Sequence, residues 1–322
     1  MTATMTAIGF ASTGGPEVME RFELPVPEPG PGEVRIRTTA TAVNPTDTMY
    51  RLTGPRPEEG LAPPWIPGME LAGVVDAVGP VIDDDAAGWA VGQRVMAIVM
   101  PRRQLGGSYA ELVVVPADAV AAVPDAVSDA QACTLPMNGL TVVSALAHLA
   151  LSPGDILGVT GGAGAVGGYA IELGKHAGLR VVADAKPADR ALVEGLGADV
   201  VVPASRDAAE ETAAFREAVP DGVDGLIDAA VLDAAALGIV RDGGALATVR
   251  FWAGPTERGI RIHPVMVRDH LRDGAGIARL ADLVLAGRLT PRVADALPAA
   301  HAADAHRRLE AGGVRGRLVL TF

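Results

Sequence analysis

Residues 156–184 read ILGVTGGAGAVGGYAIELGKHAGLRVVAD, and the fold follows from this stretch. A short apolar run (Ile156, Leu157, Val159) meets a glycine turn of Gly161, Gly162, Gly164, Gly167 and Gly168. Val166, Ala170, Ile171 and Leu173 then recur at helical spacing, while Glu172 and Lys175 fall on another face. A second apolar run ends at Val182 and is followed by Asp184. Strand, turn, helix, strand and acid is the order that a dinucleotide-binding βαβ unit needs. The turn fits GxGxxG through Gly162, Gly164 and Gly167, with Ala165 and Val166 opening the helix. Its glycines allow a tight backbone turn, close approach to a pyrophosphate and tight packing of helix on strand, with the helix N-terminus facing the phosphate charge.

Outward from this unit the chain divides in three. On its N-terminal side, 33–37, 71–78, 94–99 and 110–115 read as short strands separated by turn signals such as Pro29-Gly30-Pro31-Gly32 and Gly106-Gly107. They predict a partly open, mostly antiparallel β domain over 1–123. From Val123-Pro124 onward the texture changes, and Ser128 with Gln131 predicts a capping box. Strands at 156–160, 180–183, 200–202, 222–228 and 245–249 alternate with helical segments, so 124–264 is predicted to be a parallel-sheet domain. Helical patterns at 277–286 and 300–310 and a last strand at 317–320 make 265–322 a segment expected to return to the β domain.

Composition narrows the function classes. A 49% apolar content and ordinary charge over 322 residues exclude disorder and predict a soluble globular chain of two medium domains. No apolar run approaches the roughly 20 residues of a membrane span, and residues 1–10 carry no targeting pattern, so a cytoplasmic location is expected. The single Cys133 permits no internal disulfide and no cysteine zinc cage. With net charge −12 and Lys175 and Lys186 as its lysines, the chain lacks the basic face that nucleic acid or an anionic membrane requires.

A series of motifs in order gives a resemblance. Asn44-Pro45-Thr46-Asp47 precedes Arg51, Pro67-Gly68-Met69-Glu70 leads into Ala72-Gly73-Val74-Val75, and Gly107-Ser108-Tyr109-Ala110-Glu111 and Leu135-Pro136-Met137-Asn138-Gly139-Leu140-Thr141 follow before the nucleotide turn. Ala305-His306-Arg307-Arg308-Leu309-Glu310 and Gly316-Arg317-Leu318-Val319-Leu320 close the series. The chain thereby resembles the medium-chain dehydrogenase/reductase superfamily and, within it, the zinc-free quinone oxidoreductase branch that includes ζ-crystallin. The resemblance implies an α/β protein with a GroES-like β-barrel domain, a Rossmann dinucleotide-binding domain, a cleft between them and commonly a homodimer.

It also implies roles for single residues. The amide of Asn44 is placed near the nicotinamide and the substrate oxygen, and Thr141 near the nicotinamide end, against plain readings as a turn residue and a helix residue. Zinc-dependent relatives hold metal at the positions of Asn44, Met69 and Met137, and none of these offers a thiolate or imidazole. No metal is therefore expected. Without a Lewis acid, alcohol oxidation is disfavoured, and reduction of a conjugated carbonyl or quinone by hydride delivery is the expected chemistry.

From the residues alone, Tyr50 offers a phenolic proton, whereas Asp47 and Arg51 read as a structural pair or loop anchor. Arg250 offers a contact to pyrophosphate or to an anionic substrate group and reads equally as a surface arginine. Phe251 and Trp252 beside it suit a pocket wall or a dimer interface, and 259–262 is a candidate edge strand for a homodimer. Cofactor choice between NADH and NADPH stays open: Asp184 suits the ribose diol of NADH, relatives mostly use NADPH, and Lys186 offers a phosphate contact. An enoyl-thioester reductase of the same family and a nucleotide-binding sensor without turnover are the alternatives.

Overall fold

The computed structural model describes residues 3–80 and 88–322, and its contacts divide into two compact units. The first unit takes Met1–Met137, His270–Leu285 and Pro291–Phe322, the second Asn138–Asp269 and Ala286–Thr290.

The first unit opens with β1 (Thr4–Gly9) and β2 (Glu20–Pro25), an antiparallel pair. Then come β3 (Glu33–Val43), α1 (Pro45–Thr53), β4 (Glu70–Val78), β5 (Arg94–Ile98), β6 (Leu112–Pro116), β7 (Val120–Ala122) and the short α2 (Asp129–Ala132). Along the first half of β3 burial alternates: Val34 and Ile36 lie in the core while Arg35 and Arg37 both reach Asp76 on β4. From Ala40 to Val43 every residue is buried, so the polar–apolar alternation stops although the strand continues. That is why the sequence pattern ended at 37. Ser128 caps α2 with Gln131, as expected.

The second unit begins within α3 (Pro136–Leu149) and continues through β8 (Ile156–Thr160), α4 (Ala165–His176), β9 (Arg180–Ala185), α5 (Arg190–Gly195), β10 (Val200–Pro203), α6 (Ala208–Ala218), β11 (Val223–Asp228), β12 (Val240–Thr248) and β13 (Arg261–Pro264). The six strands form one parallel sheet in the order β10-β9-β8-β11-β12-β13. The order turns back at β8, so β8 and β11 are neighbours and loops leave their carboxyl ends in opposite directions. In a doubly wound sheet this is the switch point where ligands bind. The expected edge strand at 259–262 lies slightly later, at Arg261–Pro264, because Gly259 adopts a left-handed φ of 69° that keeps it out of the ladder.

α7 (Gly274–Leu285), β14 (Val293–Pro298), α8 (Ala302–Ala311) and β15 (Arg317–Thr321) complete the chain. β15 pairs with β3, extending the first unit's sheet to the order β14-β15-β3-β4-β5-β7 with β6 also on β3. Contacts move the expected boundary from 123/124 to Met137/Asn138. Asp129 of α2 accepts from Thr39 on β3 at 2.6 Å and from Arg94 on β5, which binds 124–137 to the β sheet. Nor does all of 265–322 join the first unit: residues 265–269 and Ala286–Thr290 belong to the second, where the Thr290 hydroxyl and backbone N–H donate to Glu172 on α4 at 2.7 and 2.9 Å. The stretch Asp129–Leu149 meets the length and composition of a membrane span, contrary to the sequence reading, but 78% of its apolar 18-residue window is buried inside the protein.

Candidate functional site

In the second unit, Gly164 is the N-cap of α4 and no side chain caps this helix. The first N–H groups of a helix have no intrahelical acceptor, and with the helix dipole they favour an anion. The glycines keep the space in front of them clear in different ways. A Cβ at Gly167 would lie 2.2 Å from the Gly161 carbonyl oxygen, so this glycine is required by packing of helix on turn. A Cβ at Gly164 meets nothing closer than that same oxygen at 3.1 Å, so here the fold itself makes little demand. The residues fit a pyrophosphate.

Asp184, near the end of β9, is 5% exposed and accepts the Gly162 N–H at 2.8 Å. The acid is thus tied to the turn that it was expected to serve. Lys186 follows on the exposed side of the loop. Beside Asp184 lies Glu211 of α6, a residue that sequence reasoning did not single out. At the carboxyl end of β11, Asp228 accepts the Thr160 hydroxyl at 2.7 Å and the Asp233 N–H at 2.9 Å, and Thr160 takes the Ala230 N–H at 3.0 Å. These bonds hold the Asp228-Ala229-Ala230 corner. Arg250 is exposed at the end of β12, and Phe251 next to it is half exposed with φ 66°. Thr141 is a buried residue of α3 in this unit.

The first unit holds a second constellation, buried and polar. Asn44 caps α1, and its backbone N–H donates to Asp47 Oδ2 at 2.8 Å. Its side-chain amide donates to Glu70 Oε1 at 2.9 Å, while Glu70 Oε2 accepts the Met137 N–H at 2.8 Å. Asn44 Oδ1 is buried and has no hydrogen-bond partner among the described residues. Burial pushes both Asp47 and Glu70 up to about 7, against the hydrogen bonds they accept and the nearby Arg317. Asp47 Oδ1 also takes the Gly68 N–H at 2.9 Å, joining α1 to the loop before β4.

Of the two readings of Asp47 and Arg51, structural pair or loop anchor, the second holds: Asp47 accepts the Gly68 N–H and Arg51 donates to the Gly14 carbonyl. Arg51 lies 1% exposed and donates to the Gly14 carbonyl at 2.9 Å, to His306 Nδ1 at 3.2 Å and to Glu310 on α8. Because arginine only donates, His306 Nδ1 accepts and its Nε2–H is directed at the Tyr109 hydroxyl, 3.2 Å away. Tyr109 in turn donates to Asp47 Oδ2 at 3.4 Å. A directed chain of four side chains therefore runs from Arg51 to Asp47. Burial and the charge of Arg51 hold His306 down at about 3, so it stays neutral. Tyr109, His306 and Arg317 lie within the sequence motifs, but nothing in those motifs assigns them a task. Tyr50 lies outside this network: its ring meets Phe10 edge-on at 5.4 Å, its hydroxyl is buried without a partner, and burial raises it to about 12.

Residues 30–125 match the alcohol dehydrogenase GroES-like domain, and residues 196–320 match the zinc-binding dehydrogenase family. A mycobacterial quinone oxidoreductase of solved structure is 31% identical, with a TM-score of 0.80 over 99% of this chain and 100% of the other. This chain belongs to the quinone oxidoreductase branch of the medium-chain dehydrogenase/reductase superfamily. A mycobacterial protein solved in complex with NADPH is 30% identical, with a TM-score of 0.85 and coverage of 99% and 100%. The NADPH-dependent alkenal/one oxidoreductase of Arabidopsis thaliana chloroplasts is 29% identical over 98% of this chain and 79% of its own length. Membership explains both constellations: the parallel sheet is the Rossmann unit, and the sheet around β3 is the GroES-like unit.

Proposed function

We propose that this chain is a zinc-independent, NAD(P)H-dependent reductase of quinones or other α,β-unsaturated carbonyl compounds. The observation that carries the reading is Asn44. At a position where zinc relatives hold a metal ligand stands a buried amide, fixed by Glu70 and keeping an acceptor oxygen without a partner. The neighbouring donors do not suit zinc. Met69 and Met137 supply thioethers, and the oxygens of Asp47 and Glu70 already accept from backbone and amide N–H groups.

When bound, the reduced nicotinamide would supply a hydride for reduction of the conjugated carbonyl, with water as the source of the balancing proton. The protein's part is binding and orientation. The N-terminus of α4, from Gly164 through Ala165, Val166 and Gly167, holds the pyrophosphate; Asp184 holds the adenosine ribose; Asn44, whose free oxygen only accepts, and Thr141 orient the nicotinamide. Asp184 supports NADH, whereas the relatives above act with or bind NADPH. The protein works as a homodimer in this reading, with the outer edge of β13 in the subunit contact.

The test is consumption of NADH and NADPH, followed by absorbance, against a panel of quinones, alkenals and enones in the presence of a chelator. Turnover with a conjugated carbonyl and no stoichiometric zinc in the purified protein is expected. Activity that appears only on adding zinc sinks the reading, and cofactor binding without consumption on any panel member points to a sensor.

A further inference from the structure

The ribose end of the site contains more acid than one recognition residue needs. Glu211, in the first turn of α6, is 1% exposed. Its Oε2 accepts the Ser205 N–H, and its Oε1 is buried with no donor aimed at it. Its remaining hydrogen-bonding neighbour is the Asp184 carboxyl, itself 5% exposed and anchored on the Gly162 N–H. Two carboxylates placed side by side out of water repel strongly, and a proton held between them removes the repulsion and supplies the missing donor.

The surrounding charges leave that proton where it is. From β11, Asp228 faces the pair, but its two oxygens already accept the Thr160 hydroxyl and the Asp233 N–H. Asp233 lies beyond it, and β10 (Val200–Pro203) carries no ionisable side chain. Burial, with Asp184 and Asp228 nearby, pushes Glu211 up to about 8.

We propose that Glu211 is a second specificity-determining residue of the ribose site, sharing one proton with Asp184 so that the pair presents one negative charge near neutrality and two in alkali. The inference rests on the nicotinamide-cofactor reading above. A singly charged pair accepts hydrogen bonds from the ribose diol yet repels a 2′-phosphate by half as much as two carboxylates do. Once the shared proton leaves, the phosphorylated cofactor alone meets a second charge. Glu211 thus makes the balance between NADPH and NADH depend on pH.

The experiment measures Kd for NADH and for NADPH by nicotinamide fluorescence from pH 7 to 9.5. A phosphate monoester has its second pKa near ~6, so the cofactor's own charge is constant over this range. For the parent protein the ratio of Kd for NADPH to Kd for NADH is expected to rise about three- to tenfold. Glu211→Gln keeps the shape, with its amide donating to Asp184 and its carbonyl accepting from Ser205. This variant should hold the ratio flat at the low-pH value. A flat ratio in the parent, or the same rise in Glu211→Gln, overturns the proposal. In case the variant does not fold, carbon-13 NMR of glutamate side-chain carboxyls in the parent provides a second measurement: a glutamate titrating near pH 8, in addition to Glu70 at about 7, supports the shared proton, and no glutamate besides Glu70 titrating above pH 6 overturns it. Failure to bind either cofactor overturns this inference together with the reductase reading, whereas turnover with a flat ratio overturns the inference alone.

Discussion

Glu70 Oε1 accepts the side-chain N–H of Asn44 at 2.9 Å while its other oxygen accepts the Met137 N–H at 2.8 Å, so one buried carboxyl ties the cap of α1 to the first turn of α3. The Asn44 amide is thereby fixed with its nitrogen toward Glu70, and its oxygen is left for a ligand. Glu70→Ala removes the acceptor from both donors. Each buried donor left unmade costs ~1–3 kcal/mol, which outweighs the relief from no longer burying the carboxyl. The variant is expected to unfold at lower urea concentration and to lose about tenfold or more in kcat/KM. Unchanged kcat/KM would mean that Asn44 does not need this tether for function.

His306 gives the fold a dependence on acid. Its imidazole protonates near 6.5 in the unfolded chain and only at about 3 in the folded one. Between those values the unfolded state binds more protons, so this contribution to stability is lost as pH falls from about 6.5 toward 3. Asp47 and Glu70 act in the opposite sense. Their folded values of about 7 lie above their ordinary 3.8 and 4.5, so the folded state binds more protons there and their contribution declines as pH rises through that window. His306→Gln removes the first dependence and keeps the second. Urea midpoints should therefore differ most above pH 6.5 and converge as pH falls toward 4.5; a constant gap would show that His306 is charged in the folded protein.

The glycine turn separates folding from binding. Gly167→Val places a side chain against the Gly161 carbonyl, where even a Cβ comes to 2.2 Å, and is expected to destabilise the whole unit. Gly164→Val meets only one backbone oxygen at 3.1 Å, at φ −72° that any residue adopts, so the protein should fold. If the turn holds the pyrophosphate as proposed, the branched side chain would occupy its space, and NAD(P)H binding should disappear in calorimetry. If Gly164→Val binds cofactor as the parent does, the turn serves another purpose.

Sequence reading went furthest where one local pattern carries the chemistry. Gly162, Gly164, Gly167 and Asp184 stand in one βαβ unit, and the structure ties Asp184 to Gly162 directly. It stopped short where partners are distant in the chain. Arg51 and His306 are separated by 255 residues, and Tyr109 joins them from a third segment, so no spacing rule could assemble them. Glu211 escaped notice because an acid in the first turn of a helix is ordinary helix chemistry; only burial beside Asp184 distinguishes it. The end of β3 was lost for a simpler reason: it is buried on both faces and has no alternation to read.

The outer edge of β13 is the margin of the parallel sheet, with β12 on its inner side. An open edge strand invites pairing, and pairing about a two-fold axis closes both edges at once. Light scattering at micromolar protein should give the mass of two chains of 32.8 kDa. A monomer under those conditions rules out this contact.

Asp184 provides the sharpest test of cofactor recognition. Its Oδ1 accepts the Gly162 N–H, which orients the carboxyl at the turn. In Asp184→Ser the hydroxyl retains some contact with the turn and loses the charge. Charge-assisted hydrogen bonds of this kind contribute roughly 1.5–3 kcal/mol, so affinity for NADH should fall. The same change removes repulsion of a 2′-phosphate and lets Lys186, exposed two residues on, approach it. The ratio of kcat/KM for NADPH over NADH should rise on the order of tenfold or more, each ~1.4 kcal/mol of differential binding being one such factor. Loss of turn geometry alone would weaken both cofactors equally and leave the ratio unchanged. A flat ratio, or one that moves toward NADH, therefore means that Asp184 braces the turn without reading the ribose.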